Sequence, residues 1–134
     1  MVENTVVKEP LTDAMVEVGA ELTRRLDEAG MSPDIALWLF DSEVNEWRLL
    51  FSSPEIGTQG RRPMYERIHI ALRELGDKAS ALPRFAIGLL APHAELVRRL
   101  KAGVPTGAGI ARIRFKKNVA DGRYIDDALI YRVA

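Results

Sequence analysis

The most informative absence in this sequence is that of cysteine. None of the 134 residues is a cysteine, which excludes disulfide bonds, thiolate metal sites and cysteine nucleophiles. Histidine is scarce as well, because His69 and His93 are the only two in the chain. They are too far apart to form the short zinc motif of a metalloprotease helix, and no glycine-rich phosphate loop ending in Gly-Lys-Ser/Thr occurs. The sequence therefore predicts neither a metal nor a cofactor.

Long apolar segments are also missing. The apolar runs at 35–40 and 85–90 contain six residues each, whereas a helix that spans a bilayer needs about 18 to 20. The first residues do not combine a basic region with an apolar core, as an export signal does. We therefore expect a cytoplasmic protein that has no membrane partner.

The chain has no net charge, with 19 basic and 19 acidic residues, but the two signs are unevenly distributed. Residues 1–83 contain 9 Lys or Arg and 15 Asp or Glu, whereas residues 84–134 contain 10 and 4. The simplest interpretation is that the two parts neutralise each other within one folded chain. The alternative is a basic surface that binds an anionic partner.

Composition and length indicate one globular domain. Hydrophobic residues make up 47% and charged residues 28% of the chain, which is typical of a folded protein rather than a disordered one. A chain of this length is long enough to bury one core. We therefore expect a single domain over residues 11–134 that follows a flexible N-terminal segment, residues 1–10.

Helical spacing of apolar residues predicts about three helices. The first extends from residue 11 towards Gly30, which can adopt the left-handed conformation that ends a helix. The second begins at Pro63 and ends at Gly76, and a short third helix runs from Ala91 to Gly103. Residues 52–60 lack this spacing and are predicted to form a loop.

Five strands are predicted from apolar runs and from alternation. They are 35–40, 47–51, 85–90, about 110–117 and 123–133. The order α-β-β-α-β-α-β-β predicts an α+β domain of two layers, in which helices cover mainly one face of a five-stranded mixed sheet. The two-sided apolar run 35–40 is expected at the centre of the sheet. A parallel crossover from the third strand through the third helix to the fourth strand also suits these lengths.

The last two strands form a predicted hairpin that reverses at Asp121-Gly122. Ala111, Ile113 and Phe115 are expected to face the core, while the residues between them are basic. The candidate contacts for an anion or a protein partner are the five cations of this hairpin, Arg112, Arg114, Lys116, Lys117 and Arg123. Alternatively, these charges protect an edge strand from unwanted pairing, or pair across the hairpin with Asp126 and Asp127.

A weaker candidate site combines Arg61, Arg62 and His69. The two arginines precede the second helix and could bind a phosphate or a carboxylate, and His69 lies at the border of the predicted buried face of that helix. His93 is expected in the first turn of the third helix, where the helix dipole disfavours a positive charge. No grouping of serine, histidine and acid indicates a catalytic site, so no catalytic residue is predicted.

These observations favour a non-enzymatic cytoplasmic protein that acts through protein–protein contacts as a homodimer, with acidic and basic parts complementing each other between two chains. The alternative function is a nucleic-acid-binding module that uses the basic C-terminal hairpin as a two-stranded ribbon. Against it stands a pI of about 6.7, since dedicated nucleic-acid-binding domains are strongly basic. A third class is a small hydrolase or isomerase in which His69 lies in a pocket beside Arg61 and Arg62.

Overall fold

The structure is a computed structural model that describes residues 7–83, 86–120 and 123–134, without the side chains of 117–120, 123 and 124. The helices are α1 (Asp13–Glu28), α2 (Pro54–Gln59), α3 (Arg62–Leu75) and α4 (Glu95–Gly103), with a 3₁₀ helix at Gly76–Ala81. The strands are β1 (Ile35–Asp41), β2 (Glu46–Ser52), β3 (Ile87–Leu89), β4 (Ile113–Ala120) and β5 (Arg123–Val133). The predicted order of elements and the α+β class are confirmed.

The start and the end of α1 follow from local chemistry. The Thr12 side chain accepts a hydrogen bond from the backbone N–H of Met15 at 3.2 Å, which satisfies one of the free donors at the helix start. Asp13 adds a negative charge to the first turn, where the helix dipole favours it. Just beyond the helix, Gly30 has a φ of 77°, the left-handed conformation expected of it.

The prediction of a loop at 52–60 is wrong, because this segment contains α2. The Ser53 side chain accepts a hydrogen bond from the N–H of Glu55, and Pro54 begins the helix. With six residues and Ile56 as its buried residue, α2 is too short to produce an apolar period in the sequence. The Ser-Pro-Glu start is the signal that could have identified it.

The third predicted helix begins later than expected. Ala94, the residue before α4, has an extended ψ of 146°, and His93 lies in an exposed turn that precedes the helix. The prediction that His93 lies in the first helical turn is therefore wrong. Further along, Asp121-Gly122, the predicted reversal, lies outside the described residues, as does Phe85 at the start of the predicted third strand.

The strand order in the sheet is β3-β2-β1-β5-β4, so β1 is central as predicted. Neighbouring strands are antiparallel except for β2 and β3, which are parallel. The suggested crossover from β3 to β4 is wrong, since these strands lie at opposite edges. The parallel connection instead joins β2 to β3 through α2 and α3, while β4 pairs with its neighbour in sequence, β5.

The helices lie mainly on one face of the sheet, as predicted. This first face packs against α1, α2 and α3, and its fully buried side chains include Trp38, Phe51 and Tyr131. On the second face, α4 covers a smaller core of mostly aliphatic residues, which includes Leu37, Leu100 and Ile130.

A bulge in β5 directs Tyr131 into the first-face core. Ala36 pairs with Arg132 but Leu37 pairs with Ile130, so Tyr131 is the extra residue. Its hydroxyl donates a hydrogen bond to the carbonyl of Val16 in α1 at 2.6 Å and accepts one from Nε1 of Trp38 at 2.9 Å. Both partners are needed, because a buried hydroxyl without hydrogen bonds is costly.

Candidate functional site

The structure brings the basic hairpin together with acids from other parts of the chain. Arg112 binds Glu17 of α1 through two hydrogen bonds of 2.6 and 3.1 Å. Arg114 likewise binds Asp127, at 2.6 and 2.7 Å, which confirms the pairing of Asp127 across the hairpin. Lys116 is exposed, and no ion pair to it is found among the described side chains. Lys117 and Arg123 have side chains outside the described residues.

The expectation that Ile113 enters the core is wrong. Its side chain is 42% exposed, because β4 is an edge strand and has a neighbouring strand on one side only. Ile113 ends a row across the sheet in which Leu37 and Ile130 are fully buried and Leu50 is 7% exposed. In the next row, Leu39 and Phe115 are partly buried on the same face. We call Leu39, Ile113 and Phe115 the β4 patch.

Asp127 is bound from two directions. Its side chain is 1% exposed, and Nζ of Lys8 lies 2.6 Å from Oδ2, an oxygen that also accepts one of the two hydrogen bonds from Arg114. The same ammonium lies 4.6 Å from the centroid of the Phe40 ring and 5.6 Å from that of Trp47. The guanidinium of Arg114 lies 5.3 Å from the centroid of the Trp47 ring. One buried carboxylate, two cations and two rings thus form a connected cluster.

Residues 7–10, which we call the N-terminal strap, carry Lys8 to this cluster. Asn45 accepts a hydrogen bond from the N–H of Glu9 and donates one to the carbonyl of Val7. Nε1 of Trp47 donates to the carbonyl of Glu9 at 2.8 Å. The flexibility of residues 1–10 stays a prediction, since residues 1–6 lie outside the described residues.

The acidic and basic parts of the chain are paired within one molecule. Lys101 contacts Asp34 at 2.5 Å, and Arg112 contacts Glu17. Arg132 donates two hydrogen bonds of 2.8 Å to Asp27. Each pair joins the basic C-terminal part to the acidic N-terminal part, as the simplest interpretation of the charge distribution requires.

Ion pairing lowers the pKa values of Asp127 and Asp27, as it does that of Glu17 through Arg112. Burial raises the pKa of Asp127, but the hydrogen bonds and charges of Arg114 and Lys8 outweigh this effect and hold the pKa below its usual value. The hydrogen bond from Arg132 lowers the pKa of Asp27 in the same way, against a smaller effect of burial. Both carboxylates therefore carry their charge at neutral pH, as structural ion pairs require.

The weaker candidate residues are not brought together. His69 is exposed at a cavity of about 390 Å³ between α3, the 3₁₀ helix and β3, whose walls include Tyr65 and Leu72. Arg61 and Arg62 do not line this cavity, and Arg62 pairs with Glu66 at 3.6 Å on the surface. Neither Arg61 nor Arg62 therefore lies at the cavity beside the imidazole. Residues 84 and 85, next in sequence to one wall of this cavity, lie outside the described residues.

Sequence reasoning missed Lys8, Asp27 and Arg132. Lys8 and Asp127 are 119 positions apart, and Asp27 and Arg132 are 105 apart. Helical spacing and hairpin alternation relate residues a few positions apart. No signal in one sequence therefore indicated these contacts.

The helices and strands together form a mixed α+β domain with a central five-stranded sheet. Comparison with protein-family models, with characterised proteins and with solved structures finds no significant match. Within the described ranges, no group of three or more His, Asp or Glu side chains is arranged to hold a metal ion. In the same part of the chain, no helix has the length and apolar character needed to cross a membrane.

Proposed function

We propose that the protein is non-enzymatic and acts through protein contacts, as a homodimer in which the β4 patches of two copies pack together. The supporting observation is the 42% exposure of Ile113 at the end of an otherwise buried apolar row. Burial of apolar surface is the main driving force of such association. An isologous dimer would bury the same patch twice around its two-fold axis.

Two other modes of self-association have less support. Three ion pairs, Lys101–Asp34, Arg112–Glu17 and Arg132–Asp27, already join the two parts within one chain, so these charges are not free to bind a second copy. Edge-to-edge pairing of β4 with β4 would bring Arg114 and Lys116 of one copy close to the same cations of the other, and like charges on adjacent strands are destabilising. Contact between the sheet faces avoids both difficulties.

Sedimentation velocity over a concentration series tests this proposal. We expect a dimer that persists when salt is raised, because an apolar interface is not screened as surface charges are. Ile113→Lys should shift the protein to monomer. The matched control is Val44→Lys, since Val44 is 55% exposed but lies in the turn between β1 and β2, and this variant should remain dimeric.

Different outcomes separate the alternatives. A monomer at the highest concentration and low salt would overturn the homodimer. A dimer that dissociates as salt rises would instead support charge complementarity between chains. A salt-resistant dimer that tolerates Ile113→Lys would assign the interface to another surface.

The nucleic-acid alternative is tested separately by titrating the protein with oligonucleotides. Its support is the exposed position of Lys116 beside Arg112 and Arg114, but both arginines are engaged by acids within the chain. If the protein binds duplex DNA through phosphate contacts, the slope of log affinity against log salt concentration should be about −0.9 per contact. Lys116→Gln should remove about one contact and make the slope correspondingly shallower. We expect no measurable binding at physiological salt, and tight, salt-sensitive binding that Lys116→Gln weakens would favour the alternative.

A further inference from the structure

We propose that Phe40, Trp47 and Asp127 form a binding site for a primary ammonium group, which Lys8 occupies in this structure and which a lysine side chain of a partner can occupy instead. The site lies on the first face of the sheet, away from the β4 patch on the second. It therefore does not depend on the homodimer.

The walls of the site are rigid. Phe40 and Trp47 are directly paired residues of β1 and β2, with ring centroids 5.3 Å apart and exposures of 8% and 2%. A cation over an aromatic face is attracted by the ring quadrupole. Asp127 supplies a full negative charge that is 1% exposed. A ring pair beside a buried carboxylate is an arrangement that selects a cation.

The ammonium form of the cation is specified by hydrogen bonding. Oδ2 of Asp127 accepts a hydrogen bond of 2.6 Å from Nζ of Lys8, and charge-assisted bonds of this kind are among the strongest in proteins. Arg114 already occupies Oδ1 and shares Oδ2. A compact group with several N–H donors fits the remaining space, as a lysine ammonium does.

Lys8 is the replaceable partner of the cluster. Arg114 belongs to β4 and is held by the sheet, whereas Lys8 belongs to the N-terminal strap, which is exposed along residues 7–10. Val7 in the strap is 80% exposed. A groove of about 540 Å³ runs beside the strap, between Thr12, Val44 and Trp47, and offers room for residues flanking an incoming lysine. The partner chemistry is thus a lysine in an extended peptide segment.

Chemical rescue tests the site in the full-length chain. Lys8→Ala empties it, and ethylammonium chloride is the probe. The readout is the NMR signal of the Trp47 indole N–H, with the Trp38 indole N–H as an internal control because it is bonded to Tyr131. We expect a saturable shift of the Trp47 signal and a higher melting temperature in Lys8→Ala. In the native protein, where Lys8 competes for the site, both effects should require a much higher concentration of ethylammonium, and equal sodium chloride should produce neither.

Two controls sharpen the test. Tetramethylammonium keeps the charge but has no N–H, so it should bind at least about tenfold more weakly. Lys101→Ala removes a cation that contacts Asp34 on the surface without aromatic neighbours in the described structure, so ethylammonium should not raise its melting temperature.

A five-residue peptide with the sequence of residues 6–10 should shift the Trp47 signal of Lys8→Ala, and the same peptide with alanine for lysine should not.

The results decide the proposal in either direction. No saturable shift in a folded Lys8→Ala protein, or equal effects of ethylammonium and tetramethylammonium, would overturn it. If Lys8→Ala does not fold, hydrogen exchange of the Trp47 indole N–H in the native protein replaces the titration. Excess ethylammonium should then displace the strap and accelerate that exchange several-fold while Trp38 is unaffected, and unchanged exchange would overturn the site.

Discussion

The two faces of the central sheet are covered to different extents. The first face packs against α1, α2 and α3 and against the N-terminal strap, and it contains the largest buried side chains. The second face is covered by α4, and the row that ends at Ile113 reaches solvent at β4. This difference suggests a division of roles, in which the first face supplies most of the stability and the second supplies free apolar surface.

The largest expected effect is on the first face, at Trp38. Its side chain is fully buried and bonded to Tyr131, so Trp38→Ala should lower the free energy of unfolding by about 3–5 kcal/mol. Chemical denaturation measures this loss. A change below about 1 kcal/mol would mean that Trp38 is not in the centre of the core. It would also contradict the view that the first face supplies most of the stability.

A second prediction concerns the close contact of α1 with β5 at Gly19. A Cβ at Gly19 would overlap the Tyr131 hydroxyl and lie 2.7 Å from Nε1 of Trp38. Glycine to alanine usually stabilises a helix by roughly 0.5–1 kcal/mol, but here overpacking should destabilise by about 1–3 kcal/mol.

The matched control is Gly57→Ala in α2. A Cβ there would meet Pro92 at 3.5 Å, an ordinary contact, so the usual gain in helix stability is expected. Thermal melting of the two variants measures the contrast. A stabilising effect of Gly19→Ala would contradict the close approach of Tyr131 to α1.

A third prediction compares two cations of the same strand. Arg114→Gln removes two hydrogen bonds to the buried Asp127 and should cost about 1–3 kcal/mol. Lys116→Gln, without an ion pair among the described side chains, should change stability by less than about 0.5 kcal/mol. Urea denaturation measures both. Equal effects would mean that the contact with Asp127 does not make Arg114 more important for stability than Lys116.

A fourth prediction follows from the lowered pKa of Asp127. A carboxylate whose pKa is lower in the folded than in the unfolded chain stabilises the fold above its unfolded pKa, about 3.9, and loses this contribution as pH falls below that value. The stability difference between the native protein and Asp127→Asn should therefore shrink as pH is lowered from 7 towards 2.5. Urea midpoints across this range measure it, with the exposed Asp77→Asn as control. A difference independent of pH would contradict the ion pairing of Asp127.

The last prediction concerns Ile113, where the expected loss of stability is much smaller than at Trp38. Because its side chain is 42% exposed on the edge strand, Ile113→Ser should lower the free energy of unfolding by only about 1 kcal/mol in dilute, monomeric protein. Chemical denaturation at low concentration measures this. A loss comparable to that of Trp38→Ala would mean that the β4 patch is core, and the proposed contact surface would be lost.

Much of the fold could be predicted because it depends on neighbours in sequence. The helical period of α1, the apolar run of β1 and the glycine after α1 each reflect backbone chemistry within a few residues. Arg114 and Asp127 could be paired because they lie 13 positions apart in one hairpin. The same reasoning failed at α2, which is too short for a period, and at Ile113, because strand alternation does not indicate which strand lies at the edge of the sheet.

By itself, the sequence determined the class of fold, the order of its elements and the centre of its sheet, since hydrophobic periodicity and turn chemistry act locally. Only the tertiary structure decided which charges distant in sequence meet, as Lys8 and Asp127 do. It also decided which edge strand leaves apolar surface exposed. These outcomes depend on contacts between residues about a hundred positions apart. One sequence contains no periodic signal for such contacts, because they arise only when the whole sheet and its helices have packed.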